Sequence, residues 1–416
     1  MVSAPRLTPA ELLADLRSDL GRPAALLLVQ DLDGVCMELV RDPLQRRLAP
    51  AYLHAARRLD GSFCVLTNGE HEGRRGVNRL VEQALPGECH GREGLYLPGL
   101  AAGGVQLQDR RGQVRTPGVN AAELAFLAAA PQRLSEGLRP RLARLLPRLS
   151  DRELEGEVAA AVHDNPLSPT INLNGLFQRV AGCDPDRRLA LALQEQTLDL
   201  METLLAEAER QGLTGSFHLH IAPSVFDGDG REQPVWAGAT GLGSTDVQFM
   251  LQGAVKEAGL LVLINEHIAR HHGSHPLGAD FHVRNAPRSI PALLALAQAR
   301  IPHTLMPRLV GVADTITSRP GPAPGQWQRG GSDRGFLTLL QELGRWFDRP
   351  NRVLLIDSSG GEVCRPSLAD GSLAGLSDPE DPLHLDALFP GGPPQYRRFF
   401  MELTEDLGAA GDGQPA

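Results

Sequence analysis

Three hydrophobic patterns alternate along the chain. The first is the short unbroken apolar run, seen at Ala24–Gln30 and Phe63–Thr67. Such runs suit strands buried on both faces, where neither side meets water. The second is helical periodicity. Residues 8–20 predict an amphipathic helix, with Thr8 as cap, Pro9 at the first helical position and Glu11 placed to reach back to the cap. Pro50–Leu59 and Gly76–Ala84 read as further helices. The third is period-two alternation, which runs through Leu95–Val114 around a turn at Arg110-Arg111-Gly112.

The pattern changes near Pro117. Residues 118–215 are dominated by helical periodicity, with Leu189–Gln211 the longest such stretch. Strand-like alternation interrupts it at Ile171–Leu176, after a break at Pro166–Pro169, and returns at Phe217–Ala222. Alternating elements then resume. They are a helix Asp246–Ala258, a strand Leu260–Ile264, a helix Ile290–Arg300 and a strand Leu309–Val312. A Pro/Gly loop Ser318–Gly331, a helix Gly335–Phe347 and a strand Arg352–Ile356 follow. Strands alternating with helices predict an α/β fold, with a parallel sheet between helices. Both ends of the chain contribute to it, around an inserted α+β domain. The expected boundaries are 1–117 and 241–405 for the core, 118–240 for the insertion, and 406–416 for a disordered Gly-rich tail.

Length and composition narrow the classes. At 416 residues the chain exceeds one ordinary core, in keeping with two domains. A hydrophobic content of 42% marks a chain that folds. A net charge of −9 argues against a general nucleic-acid or anionic-membrane binder. No apolar run approaches the roughly 20 residues of a membrane span, and Arg6, Glu11, Asp15 and Arg17 break up the N-terminus, unlike a signal peptide. The five cysteines are scattered without a C-x-x-C pair, which fits a reducing cytoplasm rather than a disulfide frame. Of 41 lysines and arginines, 40 are arginine and one, Lys256, is lysine. A compact ammonium and a planar guanidinium are not equivalent beside a phosphate, so the single exception is a candidate functional residue.

The chemistry gathers at strand ends. Asp31-Leu32-Asp33-Gly34-Val35 follows the first buried strand directly, and in open α/β sheets ligands bind beyond the carboxyl ends of strands. Two carboxylates one residue apart repel unless a cation or a shared proton intervenes. Phosphoryl transfer to aspartate uses such a pair, one as nucleophile and one as acid then base, with Mg²⁺ neutralising charge between nucleophile and phosphate. It also needs a hydroxyl at a second strand end, a cation, and one more acid after a later strand. Thr67, Lys256 and Asp314 meet these needs in order.

The blocks QDLDGVCMELVRDP, VLTNGEHEGRRGVN, GAVKEAGLLVLINEH and VGVADTITS resemble the glucosylglycerol-phosphate phosphatases, within the haloacid-dehalogenase-like phosphohydrolases. That resemblance implies a Rossmann-like core with an inserted cap covering the site. It implies Asp31 as nucleophile and Mg²⁺ ligand, Asp33 as acid/base with its carbonyl a second ligand, Thr67 and Lys256 on the phosphoryl group, and Asp314 as the metal acid. It further implies a sugar-phosphate substrate, a place in compatible-solute synthesis under salt stress, and a glucosylglycerol-phosphate synthase as possible partner. Asn68, Gly69, Glu70, His71, Arg74 and Arg75 crowd the loop after Thr67 and are the candidate substrate contacts, a solvated helix face being the other reading of Glu70, His71, Arg74 and Arg75. Asn172 and Asn174 are candidates to line a sugar pocket or to face water.

Two positions depart from the superfamily pattern. Ala313 stands before Asp314 where Gly is usual, and Ser318 occupies the place of a second acid. Asp333 is then either the missing acid or an N-cap for the helix from Gly335. The departures leave two other readings open: a phosphatase for another sugar phosphate such as sucrose phosphate, and a catalytically weak regulator that binds a synthase or sugar phosphate. His267, His271, His272 and His275 form a close group, for which a polar helix end is a better account than zinc.

Overall fold

The first apolar run becomes a central strand, Leu26–Gln30, buried along its whole length. Leu27 and Val29 enter one apolar cluster, and Leu26 and Leu28 another, because successive side chains on a strand face opposite ways. Its one polar member, Gln30, is satisfied by the Tyr52 and Tyr396 hydroxyls at 2.6 and 2.7 Å. The computed structural model describes residues 5–227, 231–238, 241–321, 323 and 325–411. Around Leu26–Gln30 it builds an eight-stranded sheet. The strand order is Ala387–Phe389, Arg352–Ile356, Arg308–Ala313, Leu26–Gln30, Phe63–Leu66, Gly99–Ala101, Gln106–Gln108, Val114–Arg115. The first six are parallel and the last two join antiparallel.

Helices cover both faces. Lys256–His272, Ile290–Arg300 and Arg334–Trp346 pack on the Leu27 and Val29 side. Pro9–Leu20, Pro50–Arg58 and Gly392–Gly411 pack on the other. Pro9–Leu20 begins with the expected capping box between Thr8 and Glu11. No helix among the described residues is long and apolar enough to cross a membrane.

A second sheet sits between the two core segments. Its order is Val162–His163, Thr170–Asn172, Asp246–Leu251, Phe217–Ala222, and all its pairs are antiparallel. The long helices Ala121–Leu145 and Arg188–Arg210 pack with it. Phe126, Phe217 and Phe249 form a ring cluster there, with centroids 4.8 to 5.8 Å apart.

Five elements differ from the sequence expectation. Asp246–Leu251 is a strand rather than the start of a helix. Its alternation buries Val247, Phe249 and Leu251, and it lies in the second sheet, beyond the boundary expected at 240/241. Leu260–Ile264 is the interior of helix Lys256–His272, where every residue from Ala258 to Ile264 is buried. A helix enclosed on all sides loses its polar stripe, so a short apolar run reads alike for helix and strand. Ile171–Leu176 splits into strand Thr170–Asn172 and helix Asn174–Val180, because Asn172 Oδ1 accepts the Asn174 amide at 3.0 Å and turns the chain. The Pro/Gly loop contains a hairpin, Thr317–Pro320 with Trp327–Gly330. Helix Gly392–Gly411 also runs into the segment expected to be disordered, and residues 412–416 lie outside the described residues.

Candidate active site

Three neighbouring parallel strands end together beneath the second sheet: Phe63–Leu66, Leu26–Gln30 and Arg308–Ala313. The residues just past them are Thr67, Asp31 with Asp33, and Asp314. Asp31 is buried. Its Oδ1 accepts the Leu32 amide at 2.7 Å and its Oδ2 accepts Lys256 Nζ at 2.6 Å. Lys256 opens helix Lys256–His272, and its ammonium also donates to Asp333 Oδ1 at 2.6 Å. Burial opposes the Lys256 charge, but Asp31 and Asp333 outweigh it and hold the group above the ordinary lysine range. Gly34 has φ +75°, and a Cβ there would sit 2.2 Å from Asp314 Oδ2. The turn therefore needs glycine both for its left-handed backbone and for this close approach.

Asp31, Asp314 and Asp333 each offer an oxygen, and these lie within 4.8 Å of one another. Asp314 Oδ1 accepts the Thr315 hydroxyl at 2.9 Å, while its Oδ2 is buried without a partner. Burial first, then the Asp333 and Asp31 charges, push the Asp314 carboxyl up to about 8. Asp333 is pushed up to about 6 by burial and Asp31, with Lys256 pulling the other way. Three carboxylates against one ammonium leave a charge of −2 when all are ionised. An orphaned carboxylate oxygen in an acidic pocket with that excess suits a hard divalent cation.

The two possibilities for Asp333 separate here. It occupies the N-cap position of helix Arg334–Trp346, yet its side chain makes no capping bond. It takes Lys256 on one oxygen and the Thr315 amide, at 3.0 Å, on the other. Ser318 turns elsewhere and donates to Asp378 Oδ2 at 2.5 Å.

Thr67 is held by backbone bonds, its amide to Leu100 and its carbonyl from Gly103. Its Oγ1 accepts the Gly69 amide at 3.3 Å. Asp33 is half-buried and accepts Arg46 Nη1 at 2.9 Å. Asn68 Nδ2 donates to His220 Nε2 at 2.9 Å, which leaves the His220 Nδ1–H for Glu232 at 3.1 Å. Glu70 Oε1 accepts three bonds from the second domain, from the Leu167 and Ser168 amides and the Ser168 hydroxyl, each 2.8 Å long. Its Oε2 has no partner, and burial pushes the carboxyl up to about 7. Arg75 pairs with Asp164, again across the two domains.

A cavity of about 180 Å³ collects these groups. Asp31, Asp33, Thr67, Asn68, Gly69, Glu70, Arg75 and Asp314 line it, together with Asn172 and Asn174. Lys256 stands behind Asp31. His71 is buried away from the cavity, 3.2 Å from the Gly99 carbonyl, and burial lowers its pKa to about 4. Arg74 is exposed and lines a separate groove. The sequence reading did not single out Arg46, Arg365, His163, Asp246 or Gln248, which also line the cavity. Arg365 draws the Asp314 and Asp246 carboxyls down against their burial. Nothing distinguishes Arg46 or Arg365 among 40 arginines. The period-two alternation of Asp246–Leu251 was the available signal for Asp246 and Gln248.

Two other features stand apart. A larger cleft of about 720 Å³ lies at the amino ends of the strands, where Asp60 meets Arg57, Arg110 and Arg270, and holds none of the acidic cluster. His267 and His271 lie 3.2 and 3.0 Å from the Ala24 and Gly61 carbonyls, tying the helix end to the core.

Residues 25–404 match the family model described as glucosylglycerol-phosphate phosphatase. A glucosylglycerol-phosphate phosphatase from Synechocystis sp. is 46% identical over 393 residues, covering 91% of this chain and 92% of that protein. Among solved structures, the C-terminal domain of the trehalose-6-phosphate phosphatase of C. albicans overlays with TM-score 0.45 and 12% identity, covering 96% of this chain and 98% of that one. The trehalose-6-phosphate phosphatase of Aspergillus fumigatus overlays with TM-score 0.39 and 8% identity, covering 96% and 99%.

Proposed function

The chain belongs to the glucosylglycerol-phosphate phosphatase family of phosphoric monoester hydrolases, and from that premise we propose that it hydrolyses glucosylglycerol 3-phosphate to glucosylglycerol and phosphate. The reaction would complete synthesis of a compatible solute in the cytoplasm, after a synthase has supplied the phosphoester. The observation that carries the reading is the setting of Asp31. It is a buried carboxylate at the mouth of a parallel sheet, held by Lys256 on one oxygen and a backbone amide on the other.

In this reading Asp31 attacks phosphorus and forms an acyl phosphate, while the bond from phosphorus to the glycerol oxygen breaks. Asp33 gives its proton to that oxygen. Asp33, now a carboxylate, takes a proton from water as the water attacks phosphorus, which frees Asp31 and releases phosphate. Thr67, through its hydroxyl, holds the phosphoryl oxygens. Lys256 keeps Asp31 oriented and balances charge. Asp31, Asp314 and the Asp33 carbonyl would hold Mg²⁺, which when bound neutralises charge between nucleophile and phosphate. Asp333 takes the part of the second acid by fixing Lys256 and the Thr315 amide. We place the cap at residues 118–254, because strand Asp246–Leu251 pairs within the second sheet, and assign it the exclusion of water from the acyl phosphate.

The test is phosphate release from glucosylglycerol 3-phosphate by purified protein, with Mg²⁺ and with EDTA, beside Asp31→Asn. Release that needs both the metal and Asp31 is expected, with Asp31→Asn folded and inactive. Near-normal turnover by Asp31→Asn would remove the nucleophile assignment. A tenfold preference for another sugar phosphate would replace the substrate.

A further inference from the structure

The second sheet has two unlike faces. Ile171, Val247 and Phe249 are buried in the apolar cluster shared with the cap helices. The alternate residues, Thr170, Asn172, Asp246 and Gln248, line the cavity above Asp31. Strand register makes them a two-by-two patch, with Asp246 opposite Asn172 and Gln248 opposite Thr170.

The patch is held in place before any ligand arrives. Asn172 Nδ2 donates to Asp246 Oδ1 at 2.7 Å, and Asn172 Oδ1 is fixed by the Asn174 amide. The Thr245 hydroxyl donates to Asp246 Oδ2 at 2.7 Å. Each Asp246 oxygen thus has one donor and spare accepting capacity. Gln248 Oε1 is buried with no partner at all, which is costly unless something fills the cavity.

The proposed chemistry fixes the phosphate at the core strand ends, over Asp31 and Thr67. The cap strands then face the rest of the ligand, with Thr170, Asn172 and Gln248 as uncharged polar groups and Asp246 as a carboxylate. Such a wall suits an uncharged polyol, whose adjacent hydroxyls can donate to both oxygens of one carboxylate.

We propose that Asp246, Asn172 and Gln248 form the subsite that reads the glucosyl ring, with the Asp246 carboxylate accepting from two adjacent ring hydroxyls and Gln248 Oε1 from a third. The assignment rests on the substrate reading above. It makes the cap strand Asp246–Leu251 the determinant of sugar selectivity, while the core strand ends perform the chemistry.

The experiment compares kcat/KM on glucosylglycerol 3-phosphate and on glycerol 3-phosphate, the same ester without the ring, for the unaltered enzyme, Asp246→Ala and Gln248→Ala. Circular dichroism and thermal melts establish that each variant is folded. The unaltered enzyme should prefer the glucosylated ester strongly. The ratio of the two kcat/KM values should fall about 100-fold or more in Asp246→Ala and about tenfold in Gln248→Ala, as lost charged and neutral hydrogen bonds imply. If the unaltered enzyme prefers the glucosylated ester and both variants keep that ratio, the subsite is overturned and the substrate reading stands. If the unaltered enzyme shows no preference, the substrate reading falls and the subsite with it. Should Asp246→Ala fail to fold, Gln248→Ala decides, because its side-chain carbonyl has no partner to lose.

Discussion

Replacing Glu70 by glutamine should change how stability depends on pH. Glu70 leaves the loop after strand Phe63–Leu66 and reaches the cap, where Oε1 accepts three hydrogen bonds of 2.8 Å. A glutamine carbonyl has the same shape and accepts the same three. The substitution converts only Oε2, which has no partner, so the main change is loss of a titrating charge. The carboxyl titrates at 4.5 in the unfolded chain and at about 7 in the folded protein, chiefly because burial disfavours its charged form. A group with a raised folded pKa helps folding while protonated. Its full benefit is present below pH 4.5 and is lost as pH rises through 7. The gap is 7 − 4.5 = 2.5 pH units, or about 3 kcal/mol at roughly 1.36 kcal/mol per unit. Between pH 5 and pH 8.5 the unaltered protein should therefore lose about 2 to 3 kcal/mol that Glu70→Gln keeps, a large share of the roughly 5–15 kcal/mol typical of a domain. Urea denaturation of both proteins at the two pH values reads this directly. Parallel pH dependence in the two proteins would refute the burial penalty. Glu70→Ala, which loses the three bonds as well, should be destabilised at both pH values.

Further outcomes follow from the same geometry. Lys256→Arg should lower kcat by roughly 100-fold or more, because a planar fork cannot replace an ammonium 2.6 Å from two carboxylates in a buried site. Full steady-state activity would return Lys256 to a mere exception in arginine usage. Gly34→Ala places a methyl 2.2 Å from Asp314 Oδ2 at φ +75°. The Mg²⁺ concentration for half-maximal rate should rise by about 10- to 100-fold, and an unchanged Mg²⁺ titration would contradict the metal assignment of Asp314.

Much of the candidate site was legible because it is built from local patterns. Asp31, Thr67 and Asp314 each follow a run apolar enough to announce a buried strand, and parallel sheets bind ligands at such ends. Lys256 was visible by rarity alone. The capping box at Thr8 was equally local, since cap and partner are three residues apart.

Other assignments depended on which distant loops close on one another. Asp333, read as either the missing acid or an N-cap, became a partner of Lys256, 77 residues away, where the buried ammonium takes a second counter-charge. Glu70 looked like a substrate contact, and one of its oxygens proved to be taken by a cap loop 97 residues on. Arg46 carried no mark until folding set it against Asp33. Asp246–Leu251 carries strand-like alternation in the chain, but its place in the second sheet is set only by Thr170–Asn172 and Phe217–Ala222, which complete its hydrogen bonds. Local hydrophobic period and turn chemistry are properties of a few adjacent residues, so they survive in the linear chain. Charge pairing and sheet register arise only when segments far apart in sequence share a solvent-poor space, and there burial makes each unpaired group costly enough to choose its partner.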